Sequence, residues 1–336
     1  MVLTTPLSRR SLLKAGGLAG LATVAAACGA AGSSSPGSVS IINTSSNDTL
    51  VLQQLMKDQK LYEAFQVTAD VQNVSDGTRL MGSIIQGRSD LAVFSGFSQI
   101  FPAVARGGKL KIIGGVSAGP DYAVFSAKPD IRSLKDLEGR SVGTGAIGAL
   151  LHEIMLALFD KNGVDASKVK FVNVGSSTDV FRAVSAGTVD AGPALVTYFD
   201  KQDQYGVHSI SQVWKELPQF AQQAAFASQD TIDNHREALV RTLAAHAKVF
   251  RFVSDPANTA AYLAANTAVK GAPQDEATTL LQFYQQNPFF RQDLVFTEEQ
   301  VTQIQELNVR TGVQPSVLPF DQVCDLSLAK EAVSRL

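Results

Sequence analysis

Apolar positions along the chain follow two rhythms. Short β-branched runs such as 38–46 (SVSIINTSS) and 110–116 (LKIIGGV) have strand character, while 50–65 (LVLQQLMKDQKLYEAF) repeats its apolar residues at helical spacing. The second half repeats the sequence of elements: strand at 140–145 (RSVGTG), helix at 149–163 (ALLHEIMLALFDKNG), strand at 169–175 (VKFVNVG). After residue 230 the pattern is mostly helical. NHREALVRTLAAHAKVFRFV (234–253) gathers Leu239, Leu243, Val249 and Phe250 on one side. DEATTLLQFYQQ and TEEQVTQIQELNVRTG follow, the latter opened by Thr297 with Glu299 nearby.

One unit occurs twice. Residues 71–92 (VQNVSDGTRLMGSIIQGRSDLA) align without a gap on 171–192 (FVNVGSSTDVFRAVSAGTVDAG), matching Asn73 to Asn173, Val74 to Val174, Thr78 to Thr178, Gly87 to Gly187 and Asp90 to Asp190. Leu80, Met81 and Ile84 correspond to Val180, Phe181 and Val184, a spacing that makes one side of a helix. Gly87 and Gly187 suit a left-handed helix stop. Each copy therefore predicts strand, polar loop, helix and strand: a βαβ unit with parallel strands.

At 336 residues, with 45% hydrophobic and 18% charged side chains, the chain has material for one large α/β domain or two lobes. Its start is different in kind. Arg9 and Arg10 precede a short apolar run, Leu18 to Ala27, that ends in AAAC, which describes a twin-arginine export signal over residues 1–27. Cys28 then stands where a lipoprotein's lipidated cysteine would, followed by a flexible tether to residue 38. Conventional cleavage after Ala27 is the alternative. Removing 1–27 takes Arg9, Arg10 and Lys14 from the 29 basic residues and none of the 31 acidic ones, moving the formal charge from −2 to −5. No basic stripe remains, so nucleic acid is not an expected partner. Cys324 is left alone, and no disulfide is expected.

Three motifs tempt an enzymatic reading. Gly143, Gly145 and Gly148 spell G-x-G-x-x-G between a strand and a helix, but the acidic residue a dinucleotide ribose needs is missing at the end of VKFVNVG. No cofactor is expected. Gly115 to Gly119 (GVSAG) spells G-x-S-x-G around Ser117, yet Pro120 and a strand follow where a nucleophile elbow needs a helix. The four histidines, His152, His208, His235 and His246, show no metal-ligand spacing.

Taken in order, IIQGRSDLAVFS, VSAGTVDAGPALV and IRSLKDLEGRSVGTGAIGALLHEIMLALFDKNGVDASKVKFVNV resemble a solute-binding protein of ABC importers over residues 39–336. The similarity is to the two-lobed, type II group that includes binders of nitrate, taurine, alkanesulfonates and thiamine precursors. It implies an α/β fold of two lobes, each a mixed, mostly parallel sheet flanked by helices, joined by a two-segment hinge. Lobe one would be 39–119 plus 225–336 and lobe two 122–221. The resemblance further implies a small-molecule ligand held between the lobes without catalysis, an ABC permease with its ATPase as partner, a monomer, and a place in the periplasm or on the outer face of the cell membrane.

In such sheets the crevice lies beyond the carboxyl ends of the strands. The expected ligand-binding residues are then Thr44, Ser45 and Ser46; Ser95, Gly96 and Phe97; Thr144, Gly145, Ala146 and Ile147, where a helix start offers free N–H groups; Thr197 and Tyr198; and Tyr122 at a crossing segment. None is basic. An anionic ligand would lean on amides, hydroxyls, or a base such as Arg79 or Lys201, whereas a neutral or heteroaromatic ligand fits equally. The rival functions are an exported hydrolase using Ser117 and a pyrimidine-precursor enzyme of the same fold.

Overall fold

A computed structural model describes residues 37–74 and 77–336. The export signal and Cys28 lie outside the described residues. Ten strands occur in chain order: β1 (Ser38–Thr44), β2 (Thr68–Val74), β3 (Ala92–Ser95), β4 (Leu110–Gly115), β5 (Tyr122–Ser126), β6 (Ser141–Thr144), β7 (Lys170–Asn173), β8 (Ala191–Leu195), β9 (His208–Gln212) and β10 (Ala224–Ser228).

They build two arrays with one topology. One is the five-stranded sheet β7-β6-β8-β5-β9, in which β6 runs parallel to β7 and β8 while β5 is antiparallel to both its neighbours. The other joins the parallel pair β1-β2 to the three strands β3-β10-β4 through a parallel bridge from Ile41 to Leu91, giving β2-β1-β3-β10-β4. Here β10 is the antiparallel strand. The duplication visible at 71–92 and 171–192 thus extends to the whole of each sheet, and the fold is the two-lobed α/β arrangement. Each lobe receives one strand, β5 or β10, directly after the chain crosses over from the other.

The repeated residues do the same work in both copies. Asp90 accepts from the amide and hydroxyl of Ser40 at 2.8 and 3.0 Å; Asp190 accepts from those of Ser141 at 2.8 and 2.7 Å. Each aspartate thereby pins the start of β3 or β8 to the neighbouring strand, β1 or β6. Gly87 and Gly187 stop their helices at φ of +64° and +69°, where a side chain would be strained. The matched apolar residues Leu80, Met81, Ile84, Val180, Phe181 and Val184 are all buried.

Gly143, the first glycine of the G-x-G-x-x-G stretch, is a packing residue: a Cβ there would meet Val189 Cγ2 at 3.0 Å. Gly192 on the adjacent strand is tighter still, with Val180 Cγ1 at 2.4 Å and the Gly143 carbonyl oxygen at 2.7 Å from a hypothetical Cβ. These glycines let a helix and two strands approach closely.

The helices after residue 228 start where their caps dictate. Ser228 accepts from the Thr231 amide, so the long helix runs Gln229–Ser254, with a kink at His235 near the expected start. Thr297 forms a reciprocal capping box with Gln300 rather than Glu299: the Gln300 amide donates to Thr297 Oγ1 at 3.2 Å and the Thr297 amide to Gln300 Oε1 at 3.0 Å.

Candidate functional site

A buried serine helps tie together the two segments that cross between the sheets. Ser117, fully buried, accepts from the amides of Gln222 and Gln223 at 3.1 and 2.9 Å. Its hydroxyl oxygen is engaged by two successive amides of the other crossing segment, which is not the geometry of a nucleophile.

Between the lobes lie two adjoining cavities. One, of about 140 Å³, is lined by Thr44, Ser95–Gln99, Ala149, Leu150, Glu153 and Gln222; the other, of about 250 Å³, by Ser46–Thr49, Asp121, Tyr122, Thr197, Tyr198, Gln222, Tyr284, Phe289 and Phe290 among others. Leu150 and Gln222 line both, so the two form one cleft walled from each side.

Of the residues expected from sequence, the structure brings Thr44, Ser46, Ser95, Gly96, Phe97, Tyr122, Thr197 and Tyr198 to this cleft. Several are held by local bonds. Ser95 Oγ accepts from the Thr44 amide and hydroxyl, and Ser46 caps the helix Asn47–Asp58 by accepting from the Thr49 amide. Phe97 is buried and stacks on Phe296, so its ring belongs mainly to the core. Tyr198 stacks on Phe181 with 3.8 Å between ring centroids.

Ser45, Thr144, Gly145, Ala146 and Ile147 line neither cavity. The reason for the last four is the helix start. It falls at Leu150, not at 146, because residues 145–149 form turns and Gly148 takes φ of +76° against Val313. Thr144 is buried with its hydroxyl on the Gly145 carbonyl, and Ile147 is 71% exposed. The helix Leu150–Asn162 still opens on the cleft through Ala149 and Leu150, and Ala149 provides no side-chain cap for its first amides.

The strongest electrostatic features were not among the expected residues. Glu153, on the first turns of that helix, is 2% exposed and its Oε1 has no hydrogen-bond partner. Burial pushes its carboxyl up to about 8, with the Ser98 hydroxyl opposing weakly. Gln222 donates through Nε2 to Asp121 Oδ1 at 3.0 Å while its own Oε1, also buried, goes unpaired.

Across the second cavity the Tyr284 hydroxyl lies 2.7 Å from Asp48 Oδ2 and 3.3 Å from Asp121 Oδ2. A phenol has one proton, so it satisfies one carboxylate as donor and needs the other carboxyl protonated to donate back. Burial and the neighbouring Asp121 accordingly raise Asp48 to about 7, and burial raises Asp121.

Among the described residues, no lysine, arginine or histidine lines either cavity. Arg79 is exposed and lines neither, and Lys201 is engaged by Asp275 at 2.7 Å and Glu276 at 3.0 Å. That pair spans the lobes, as do Arg310 with Asp160 and the edge-on contact of Trp214 with Phe283. Among the described residues no cluster of His, Cys, Asp and Glu is arranged to hold a metal ion, and no helix is long and apolar enough to cross a membrane.

The family model described as NMT1/THI5 like matches residues 39–259. No curated protein matches the chain in sequence. Among solved structures, the periplasmic aliphatic sulphonate binding protein SsuA from Escherichia coli is similar at 17% identity and a TM-score of 0.70, covering 86% of this chain and 92% of that one. The periplasmic nitrate-binding protein NrtA from Synechocystis PCC 6803 is similar at 11% identity and a TM-score of 0.67, covering 89% of each chain. The desulfurization enzyme DSZB is similar at 12% identity and a TM-score of 0.63, covering 88% of this chain and 99% of that one. At such identities the likeness speaks for the fold.

Proposed function

This chain belongs to the NMT1/THI5-like family, and from that premise we propose that it captures a small solute between its lobes outside the cytoplasm and delivers it unchanged to an ABC importer. We assign residues 39–119 with 225–336 to one lobe, 122–221 to the other, residues 1–27 to export and Cys28 to a lipid anchor.

The observation that carries the reading is the cleft itself. It is walled by both lobes, furnished with hydroxyls and amides from loops at strand ends, and holds buried acceptors left without partners. Buried polar atoms are almost always paired, and an unpaired one costs about 1–3 kcal/mol. A solute supplying the missing partners stabilises the shut form by that differential, which is what a closing receptor requires. The interlobe contacts of Lys201, Arg310 and Trp214 hold that shut form. Sulphonate- and nitrate-binding proteins share the fold, which supports a binding role. DSZB shares it too, but the serine that would serve a hydrolase here is the crossing-segment tie described above.

The test is a thermal-shift screen of purified, solute-stripped protein against sulfonates, nitrate, pyrimidines, amino acids and amines. A solute at 100 times its dissociation constant adds about 2.7 kcal/mol. The reading predicts at least one such shift with no turnover of the compound; chemical conversion of the bound compound would contradict it.

A further inference from the structure

The charges in the cleft are one-sided. Among the described residues, four carboxyls, Asp48, Asp121, Glu153 and Glu276, line its cavities, and no basic side chain does. Lys201 already bridges Asp275 and Glu276. An acidic lining alone describes many surfaces. What points to a ligand here is that two deeply buried oxygens lining the cleft lack partners, Glu153 Oε1 and Gln222 Oε1. Gln222 Oε1 can only accept, and Glu153 Oε1 accepts once its carboxyl is ionised. The complement of two orphaned acceptors beside carboxyls is a group that brings N–H donors and positive charge.

Resting on the solute-binding reading, we infer that the cleft takes a cationic nitrogen compound, an amine or amidine attached to a flat apolar group. Its N–H groups donate to Glu153 and Gln222, and its apolar part lies toward Tyr284, Phe289 and Phe290, which line the second cavity beside Gln222. Aromatic faces attract such cations as well. A sulfonate or nitrate meets the opposite: oxygens against oxygens, in a low-dielectric cleft without a base to compensate. The free amides at the start of the helix Leu150–Asn162 and the hydroxyls of the lining favour an anion, but Glu153, on the first turns of that helix, answers those amides from within the chain once it is ionised.

A cation also resolves the carboxyl's own difficulty. Burial alone keeps Glu153 protonated near neutrality; an amidinium beside it restores the ionised form and makes a charge-assisted pair, stronger than a neutral hydrogen bond.

The experiment is calorimetric titration of solute-stripped wild type, Glu153→Gln and Asp48→Asn with ring-matched probes: benzamidine and benzylamine against benzoate and benzenesulfonate. The inference predicts that the cations bind wild type, that the anions do not, and that Glu153→Gln weakens benzamidine at least tenfold. Asp48→Asn provides a second variant at the other cavity, expected to weaken benzamidine as well. Tighter binding of benzoate or benzenesulfonate, or unchanged benzamidine affinity in both variants, overturns the inference and leaves solute binding standing. Failure of all four probes overturns it too, and solute binding is then judged on whether the protein carries a solute from its host, as measured by native mass spectrometry.

Discussion

Replacing Glu153 by glutamine should make the empty protein more stable at alkaline pH while removing a binding group. The carboxyl titrates near 4.5 when exposed and is pushed up to about 8 in the fold. A raised folded value means its stabilising contribution is complete below the unfolded value and is lost as pH rises toward the folded one. At 1.36 kcal/mol per unit, the wild type loses about 3.5 kcal/mol through this group between about pH 5 and pH 8. Glutamine has no proton to lose, so the variant escapes that decline. Asp48, Asp121 and His246 titrate in both proteins and cancel in the difference. The assay is urea unfolding of solute-stripped wild type and Glu153→Gln at both pH values, with the slope checked for constancy. The variant's stability relative to wild type should rise by about 3 kcal/mol from the lower pH to the higher. Parallel curves, with a change below about 1 kcal/mol, would refute the claim that this carboxyl is buried uncompensated.

Other residues give separate tests. His246 is fully buried, donates through Nδ1 to the Thr242 carbonyl at 2.8 Å, accepts at Nε2 from the Tyr62 hydroxyl at 3.4 Å, and is held down to about 4 from 6.5. Its contribution is therefore present above pH 6.5 and lost as pH falls toward 4, about 3 kcal/mol, and His246→Gln should flatten the acid limb of the same unfolding series. Lys201→Met removes the interlobe pair with Asp275 and Glu276. Because Asp275 is exposed, water screens the pair and the effect should be modest, seen as roughly fivefold weaker solute binding and a larger radius of gyration of the empty protein in X-ray scattering. Ser117→Ala orphans the Gln222 and Gln223 amides and should cost about 2–4 kcal/mol in urea unfolding. Solute affinity per folded molecule should change far less.

The fold was legible because its determinants are local and repeated. The matched aspartates, helix-stop glycines and apolar triads recur at a fixed offset, and each does in space what its spacing implies. Loops at strand ends were legible for the same reason, since sheet topology alone places Thr44, Ser95 and Tyr198. The helix start was misplaced because Gly148 takes a left-handed φ that delays the first turn, at a place where a side chain would meet Val313, far along the chain. Ser177 and Thr178, which also line the second cavity, could have been found by the topology already used, since they follow β7. Asp121, Gln222 and Tyr284 could not. They meet only because two crossing segments and a late helix converge, and no periodicity records that convergence.

The most direct test of solute capture without chemistry is native mass spectrometry of the protein taken from its own host, before and after denaturation. The account predicts a noncovalent adduct that leaves intact on unfolding and is lost or much reduced in Glu153→Gln. A bare protein mass in both proteins, or an adduct that survives denaturation or departs chemically altered, would contradict it.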